Sequence, residues 1–447
     1  MSAEESAWSG AQQQLLRADD LKDAWPVLSA SERLEGLRLL TWSEAEDFVQ
    51  GLAARDQTDL LLTTSPQEAR AWLRLLAPDD VADVIQAADP DDRGQLLTLL
   101  DDAARKEVVA LLAYAEDDAG GLMSPRYARV RPDQTIDEAI AYLRRQARER
   151  PESLYYAYVL DQEQRLLGVV SFRELFAALP NQKVADVMRT KLVSVHEDMD
   201  QEEVAKVFDL HHFAALPVVD GAGVMKGIVT ADDIVDVVRE EATEDIQKIG
   251  GTEALDAPYL DVGFASMIKK RAGWLMALFV GEMLTASAMG QYEHEIARAV
   301  VLALFVPLVI SSGGNSGSQA TTLVIRAMAL GEVRLRDWWR VVRREFFSGL
   351  VLGLILAPIG VIRVLVWESI FHTYGPHAGA LALTVGIALV GVVMWGTLVG
   401  SMLPFLLRRL RFDPASASAP FVATLVDVTG LVIYFTAAQV ILRGKLL

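Results

Sequence analysis

Two carboxylates lie inside long apolar segments, where an ionised side chain is costly. Asp427 stands in ATLVDVTGLVIYF and Glu282 in LFVGEMLTAS. An Asp at the centre of a membrane-spanning helix costs about 2.5 to 3.5 kcal/mol on insertion scales, so Asp427 must face protein, water or a cation. Two roles are open for it, a cation ligand and a hydrogen-bonded link between helices, and Thr424 and Thr429 fit either role. The same two roles are open for Glu282.

A glycine-rich stretch, SSGGNSGSQA at 311–320, interrupts another apolar segment. Irregular backbone at membrane depth is tolerated only where it lines a cavity or is buried in protein. On that interpretation Gly313, Gly314 and Asn315 belong to a pore wall over 313–319. Close packing of helices through small residues is the alternative, and the pattern alone does not decide between them.

Five apolar runs after residue 271 are long enough to cross a membrane. A span takes about 20 helical residues for a hydrocarbon core of roughly 30 Å. The runs are 272–290, 298–328, 346–370, 380–407 and 417–441.

The loops between these runs differ in charge. Lys and Arg cluster at 269–271, 334–344 and 408–411, whereas 291–296 and 371–379 contain neither. The positive-inside rule therefore predicts that the N-terminal part is cytoplasmic and that the C-terminus is outside. This orientation places Glu282 toward the outer end of the first span, where it would attract cations.

The part of the chain before the spans is strongly acidic. Residues 1–271 hold 51 acidic and 29 basic side chains, against 9 and 13 in 272–447. Such a charge repels nucleic acid and attracts divalent cations, so DNA or RNA binding is excluded. The chain has no cysteine, which excludes disulfides and thiolate metal sites. The first thirty residues are polar and acidic, so we expect no cleavable signal peptide.

A repeat divides the middle of the chain. The motif MSPRYARVRPD at 123–133 recurs as MRTKLVSVHED at 188–198. Each copy continues into a strand, a polar turn, a glycine, a second strand and a helix cap, which we expect at Ser171 and at Thr230. The pattern resembles a tandem pair of CBS domains, which usually form one regulatory disc that binds adenosine nucleotides.

Residues 1–120 carry many short amphipathic segments without strand signals and predict a superhelix of short helices. Pro78 and Pro90, each followed by two aspartates, are expected to open helices. Asp79 and Asp83 share one helix face, where like charges repel unless a cation or a partner surface intervenes. A solvated surface also explains this pair.

A helix with the sequence DDIVDVVREEATEDIQKIGG links the second copy to the first span. Its acids recur at helical spacing, so several of them project from one face. Mg²⁺ and Ca²⁺ take carboxylate oxygens and would relieve the repulsion between them. Asp413, in the loop after the fourth span, is expected at the same cytoplasmic mouth.

Taken together, these segments resemble the MgtE family of CBS-gated magnesium channels over nearly the whole chain. The motifs that carry the resemblance are YAEDDAGGLM at 114–123, DQEEVA at 200–205, EEATEDI at 240–246, GGNSGSQATTLVIRAMALGE at 313–332 and ATLVDVTGLVIYF at 423–435. The resemblance implies a multidomain membrane protein. Its parts are an α-helical superhelical N domain at 1–121, tandem α/β CBS domains at 122–186 and 187–239, a plug helix at 240–268 and a five-helix transmembrane domain at 269–447.

The resemblance also implies a homodimer in the bilayer with a pore on its axis. Asp427 would then appear twice around one hydrated Mg²⁺, with the carbonyl of Ala423 as a backbone ligand. Regulatory Mg²⁺ between the cytosolic domains would hold the channel closed, and low Mg²⁺ would release it. The implied sensor residues are Asp79, Asp83, Asp200, Glu202, Asp233, Asp236, Glu241, Glu244, Asp245 and Asp413.

Family members that bind ATP in the CBS pair use an aromatic residue, an arginine and a phenylalanine. The matching positions here are Tyr156, Arg173 and Phe213, so ATP is expected as a regulator. His212 stands where the family often has an acid just before this phenylalanine.

Two functions remain open on the sequence. One is a passive, gated Mg²⁺ channel of a bacterial inner membrane, and the other is a transporter that exchanges a divalent cation for Na⁺ or H⁺. An intramembrane enzyme is excluded, because the chain has no HExxH motif and no second intramembrane Asp to pair with Asp427. A nutrient sensor without transport would leave Asp427 unexplained.

Overall fold

The computed structural model describes residues 17–147, 153–255, 257, 259–260 and 262–443. The first sixteen residues of the predicted helical domain and of the polar N-terminal segment lie outside this set. The chain divides into a first unit, 1–239, and a second unit, 240–447.

From residue 17 onward, eight short α-helices form the first part of the first unit. They are α1 (Ala18–Ala24), α2 (Ala30–Leu39), α3 (Trp42–Gln50), α4 (Ala54–Thr63), α5 (Pro66–Leu73), α6 (Pro78–Ala87), α7 (Pro90–Leu99) and α8 (Asp102–Leu111). Ser29 and Thr41 form capping boxes at α2 and α3. Pro78 and Pro90 open α6 and α7, which confirms the two predicted helix starts.

Two similar α/β modules follow. The first contains α9 (Ala119–Leu122), β1 (Tyr127–Val130), α10 (Ile136–Gln146), β2 (Ser153–Leu160), β3 (Leu166–Ser171) and α11 (Phe172–Ala177). The second contains α12 (Val184–Val187), β4 (Val195–His196), α13 (Gln201–His211), β5 (Ala215–Val219), β6 (Met225–Thr230) and the start of α14 (Ala231–Ile249). The sheet orders are β1-β2-β3 and β4-β5-β6, each with a parallel pair followed by an antiparallel pair. The sequence repeat is therefore a structural repeat.

The segment that begins each module pairs with the last strand of the other module. Ser124 exchanges two backbone hydrogen bonds with Ile228 of β6, of 2.8 and 2.9 Å. Arg189 exchanges two with Val169 of β3, of 3.1 and 2.8 Å. A β-carbon on Gly227 would lie 2.7 Å from the Ser124 carbonyl oxygen, so this crossing requires glycine. The two modules are thus bound to each other by their own backbones.

The second unit contains the predicted membrane spans. Its helices are the end of α14, α15 (Phe264–Gln291), α16 (Glu293–Arg298), α17 (Val306–Ala329), α18 (Trp338–Phe371), α19 (Ala378–Arg409) and α20 (Ala419–Leu442). Among the described residues, five helical segments are long and apolar enough to cross a membrane, which agrees with the five predicted runs. The third segment begins at Leu335, well before the predicted start at 346, because the arginine- and tryptophan-rich stretch is also helical.

The glycine-rich stretch does not break its helix, so the prediction of irregular backbone at 313–319 is wrong. α17 is continuous through Gly313 and Gly317 because these glycines pack directly against α19. A β-carbon on Gly317 would lie 2.8 Å from the carbonyl oxygen of Gly396, and one on Gly400 would collide with the backbone of Gly317. The irregular turn comes earlier, at Val300–Phe305. The small residues therefore allow α17 and α19 to pack closely against each other.

Candidate cation sites

The carboxylate of Asp427 lies in the first half of α20, beside the glycine face of α17. Asp427 is half-buried. A β-carbon on Gly314 would lie 3.4 Å from Cβ of Ala423 and 3.9 Å from Oδ1 of Asp427, so the missing side chain leaves room for the carboxylate. Gly313 is turned into the core against Val392, and Asn315 is exposed. Of the three predicted wall residues, only Gly314 is therefore shown to lie against Asp427.

The first span brings a second carboxylate toward Asp427. Gly281 of α15 packs closely on α20, since a β-carbon there would lie 2.8 Å from Cγ2 of Thr424. The next residue, Glu282, is exposed and within electrostatic range of Asp427. The two intramembrane acids found in the sequence thus lie in one region.

Thr424 and Thr429 of α20 form hydrogen bonds that do not involve Asp427. Thr424 donates to the carbonyl of Pro420 at 3.0 Å, and Thr429 donates to that of Leu425 at 2.9 Å. Nε1 of Trp395 donates to the hydroxyl of Thr429 at 2.8 Å and links α19 to α20. Within the described ranges no side chain hydrogen-bonds the Asp427 carboxylate. Thr429 therefore provides the link between helices, and the carboxylate is left for another role.

A lysine occupies the centre of the acidic group at the membrane end of α14. Nζ of Lys248 lies 2.7 Å from Oδ2 of Asp413 and also contacts Oε1 of Glu244. Partial burial would lower the pKa of Lys248, but the hydrogen bonds to Asp413 and Glu244 outweigh it and raise the pKa. The other Asp413 oxygen accepts from the backbone N–H of Ala415 at 2.8 Å. Two of the implied Mg²⁺ ligands, Glu244 and Asp413, are thus paired with a lysine ammonium group.

A second group of acids lies within the first unit, where α6 faces the start of α14. Burial raises the pKa of Asp233 to about 6, hydrogen bonds from Thr230 oppose the rise, and the charges of Asp232 and Asp80 add to it. Burial also raises the pKa of Asp80, together with the charges of Asp232 and Asp236. The resemblance had pointed to Asp233 and Asp236 but not to Asp80 or Asp232. The signal for Asp80 was the Asp-Asp pair after Pro78, which sequence spacing alone could not orient.

The remaining implied sensor residues make local contacts. Asp79 is buried, with 5% of its surface exposed, and Asp83 is half-buried. Asp200 caps α13 by accepting from the N–H of Glu202 at 2.9 Å, and Glu202 pairs with Lys206 at 2.8 Å.

Two further sensor residues, Glu241 and Asp245, are half-buried on α14. Asp236 lies 3.6 Å from Arg239. In the part of the chain that the structure describes, no three Asp, Glu or His side chains converge closely enough to chelate a metal.

A cavity of about 140 Å³ lies between the two α/β modules. Tyr156 and Phe213 line it, as expected, and Phe213 stacks on His211 with ring centroids 5.3 Å apart. The basic residues in its wall are Arg189 and Lys191. The predicted Arg173 is exposed and is not part of the described wall. Arg189 directly follows Met188, the first residue of the second repeat, and this position is its signal in the sequence.

Three family models match the chain in the order of its segments. The MgtE intracellular N domain matches 16–117, the CBS domain matches 119–181 and 184–240, and MgtE, described as a divalent cation transporter, matches 306–437.

Full-length relatives agree with these models. The magnesium transporter MgtE of Thermus thermophilus is 42% identical over 432 residues, covering 96% of this chain and 94% of the relative. That of Bacillus subtilis is 30% identical and covers 96% and 93%. A crystal structure of the cytosolic domain of the Mg²⁺ channel MgtE in complex with ATP is 40% identical, with a TM-score of 0.48, over 53% of this chain and 98% of that one. The predicted fold class is confirmed, and the chain is a membrane transporter rather than an enzyme. The chain belongs to the MgtE family of magnesium transporters.

Proposed function

We propose that this chain forms a Mg²⁺-selective channel of the plasma membrane in which Asp427 binds the permeating ion. The observation that carries the proposal is the state of this carboxylate. It is half-buried in a membrane-spanning helix and receives no hydrogen bond from the described residues. It also lies beside Gly314, where the absence of a side chain leaves room next to the carboxylate. A charged group kept in this setting is explained by a cation that binds it.

The geometry favours a hydrated ion shared by two copies of the chain. Ala423 lies one helical turn before Asp427 in α20, so its carbonyl oxygen, which also accepts the helical N–H of Asp427, lies on the same side of the helix. One carboxylate and one carbonyl cannot replace the six ligands of Mg²⁺, which sheds its water reluctantly. A homodimer with Asp427 and Ala423 from each copy around one hydrated Mg²⁺ completes the site. Glu282 then serves as an outer acid that attracts the ion.

Regulation by cytosolic Mg²⁺ would act through the acidic faces of the cytosolic helices. Burial is the main cause of the raised pKa of Asp80 and of Asp233, and repulsion adds to it, from Asp232 and Asp236 at Asp80 and from Asp232 and Asp80 at Asp233. Mg²⁺ bound among them removes this repulsion and stabilises the closed arrangement, and loss of the ion favours an open one. The other implied sensors lie on α6 (Asp79 and Asp83), at the start of α13 (Asp200 and Glu202), on α14 (Glu241, Glu244 and Asp245) and in the loop after the fourth span (Asp413).

ATP is the proposed ligand of the cavity between the modules. Tyr156 and Phe213 provide aromatic faces for an adenine, and Arg189 with Lys191 provides positive charge for phosphates. A relative's cytosolic domain was crystallised with ATP.

A coupled exchanger is the second candidate, because buried acids also suit Na⁺ or H⁺ exchange. Purified protein in liposomes, with Na⁺ and pH clamped and the voltage set by a K⁺ gradient, separates the two. A channel gives voltage-dependent Mg²⁺ entry, and Asp427→Ala abolishes this entry. Glu293→Ala, which removes an exposed acid outside the spans, is the control and leaves the entry unchanged. Entry that requires an opposing Na⁺ or H⁺ gradient would reject the channel, and undiminished entry in Asp427→Ala would reject the site.

A further inference from the structure

A basic cavity of about 430 Å³ lies where α17 ends and α18 begins. Four arginines line it, Arg334, Arg336, Arg340 and Arg344, and all four are exposed. Two acids, Glu332 and Asp337, also belong to the wall. The lining therefore has an excess of positive charge.

Asp337 neutralises only part of this charge. One of its oxygens accepts the backbone N–H of Arg334 at 3.2 Å, and the other lies 3.4 Å from the guanidinium of Arg340. Arg340 and Arg344 are four residues apart on α18 and so point to the same side of the helix. Several guanidinium groups thus face one open space, an arrangement suited to the oxygens of a phosphate.

The floor of the cavity is apolar. Val333 and Val341 line it and pack against Val324, Met328 and Phe405 of the spans. The arginines surround this floor from the loop and from the first turns of α18. A ligand that joins an anionic group to an apolar body fits such a wall better than a freely soluble anion does.

The position of the cavity along the membrane normal also favours a lipid. α18 has 34 residues and is about 51 Å long at 1.5 Å per residue, whereas the hydrocarbon core is about 30 Å thick. Its apolar run begins near 346, so the arginine-bearing turns extend beyond the core to the level of the headgroups. Trp338 and Trp339 are 52% and 60% exposed beside them, as expected of aromatic residues at a membrane interface.

We propose that this cavity binds the phosphate of an anionic phospholipid, with Arg336, Arg340 and Arg344 as its ligands. The phosphate oxygens accept from the guanidinium groups, and the first acyl carbons rest on Val333 and Val341. The site is separate from the residues assigned to ion conduction and gating, so it holds whether the transporter is a channel or an exchanger.

Native mass spectrometry of the full-length protein tests this site. Wild-type protein is equilibrated with phosphatidylglycerol, phosphatidylcholine or soluble glycerol phosphate, and the retained molecules are counted. The triple variant Arg336→Gln, Arg340→Gln, Arg344→Gln is compared with Arg408→Gln, Arg409→Gln, Arg411→Gln. The second triple removes the same charge from another basic loop that does not line the cavity.

We expect wild type and the Arg408 triple to retain phosphatidylglycerol in preference to phosphatidylcholine. Binding should weaken by roughly fivefold per arginine, hence about 100-fold, in the cavity triple alone. Equal retention of the two lipids by wild type would overturn the proposal without recourse to any variant. Equal losses in the two triples would also overturn it, and binding of glycerol phosphate as tight as that of the lipid would assign the site to a soluble phosphate.

Discussion

Nζ of Lys248 lies 2.7 Å from Oδ2 of Asp413, joining the end of α14 to the loop after the fourth span. Glu244 contacts the same ammonium group from one turn earlier on α14. The lysine therefore supplies the positive charge between these two acids.

Lys248→Met is therefore expected to loosen this end of α14. The substitution leaves Glu244 and Asp413 facing each other without a cation, so hydrogen exchange over 240–249 should accelerate and Mg²⁺ flux should rise at high internal Mg²⁺. A double-mutant cycle with Asp413→Asn, measured on the free energy of opening of this end of α14, should give a coupling of about 1 kcal/mol, as for a partly exposed ion pair. Lys248→Arg keeps the charge and is the control. A coupling of zero would show that the contact contributes nothing to the closed state.

Glu282→Gln should weaken the capture of Mg²⁺ with little change in maximal flux. Glu282 is exposed and acts on Asp427 through charge, so its loss lowers the local concentration of cations. We expect the half-saturating Mg²⁺ concentration to rise about threefold to tenfold at low ionic strength, and less at high ionic strength. Uptake measured against Mg²⁺ at two salt concentrations checks both effects. An unchanged half-saturation would remove Glu282 from the conduction path.

Gly317→Ala should strongly destabilise the second unit. The added methyl group would lie 2.8 Å from the Gly396 carbonyl oxygen, so two helices must separate, at a cost of about 3 kcal/mol. Gly379→Ala, in α19, is the control, because a β-carbon there would contact no atom beyond its chain neighbours and its own helix backbone within 4 Å. Reversible unfolding of the full-length protein in mixed micelles measures both. Equal stability of the two variants would contradict the close contact.

Asp233 should make the ion-free protein less stable as pH rises. Its pKa is about 6 in the fold against an ordinary 3.8, so between these values the folded chain holds a proton that the unfolded chain has lost. The contribution of this proton to folding stability is complete below pH 3.8 and is lost as the pH rises through about 6. Without Mg²⁺ at neutral pH, Asp233→Asn should stabilise α6 and α14 by at most about 3 kcal/mol.

Hydrogen exchange over 78–87 and 231–240 at several pH values tests this expectation. The difference between Asp233→Asn and wild type should disappear near pH 4, and it should shrink at neutral pH when Mg²⁺ is added. An advantage of the variant that persists at low pH would assign the effect to packing. The same conclusion would follow if Mg²⁺ left the difference unchanged.

Nucleotide binding should depend on Arg189 more than on Arg173. Arg189 lies in the wall of the cavity and pairs with Glu174 at 2.6 Å, whereas Arg173 is exposed outside the described wall. Arg189→Gln should raise the Kd for ATP about tenfold, the cost of a lost charged hydrogen bond. Arg173→Gln is the matched control. Calorimetry that found the larger loss in Arg173→Gln would restore the original assignment.

The fold was largely predictable because its signals are local. The five apolar runs, the proline-led helices and the two capped strand pairs each depend on residues close together in sequence. Thr230 and Ser171, expected as caps, do donate to the acid three residues later. Such patterns need no knowledge of distant parts of the chain.

The sites were harder to predict because they depend on partners far along the chain. Gly313 and Gly317 suit a broken pore wall or a tight crossing equally well until Gly396 and Gly400 are placed against them. The approach of Asp80 to Asp232 and Asp236 depends on how α6 packs against α14, which sequence spacing does not determine. Lys248 follows seven acids on the linking helix, and its contact with Asp413, 165 residues later in the chain, leaves no signal in the local sequence.

The glycine crossing of α17 and α19 also limits how the transporter can move. With backbone against backbone, no flexible side chain lies between the helices to absorb sliding, so the pair behaves as one rigid body. Gly314 belongs to this body and so provides a fixed wall beside Asp427. α15 has no buried residue, although its Gly281 packs on Thr424 of α20. On the proposed path past Asp427, we therefore expect widening to come from displacement of the first span rather than from parting of α17 and α19.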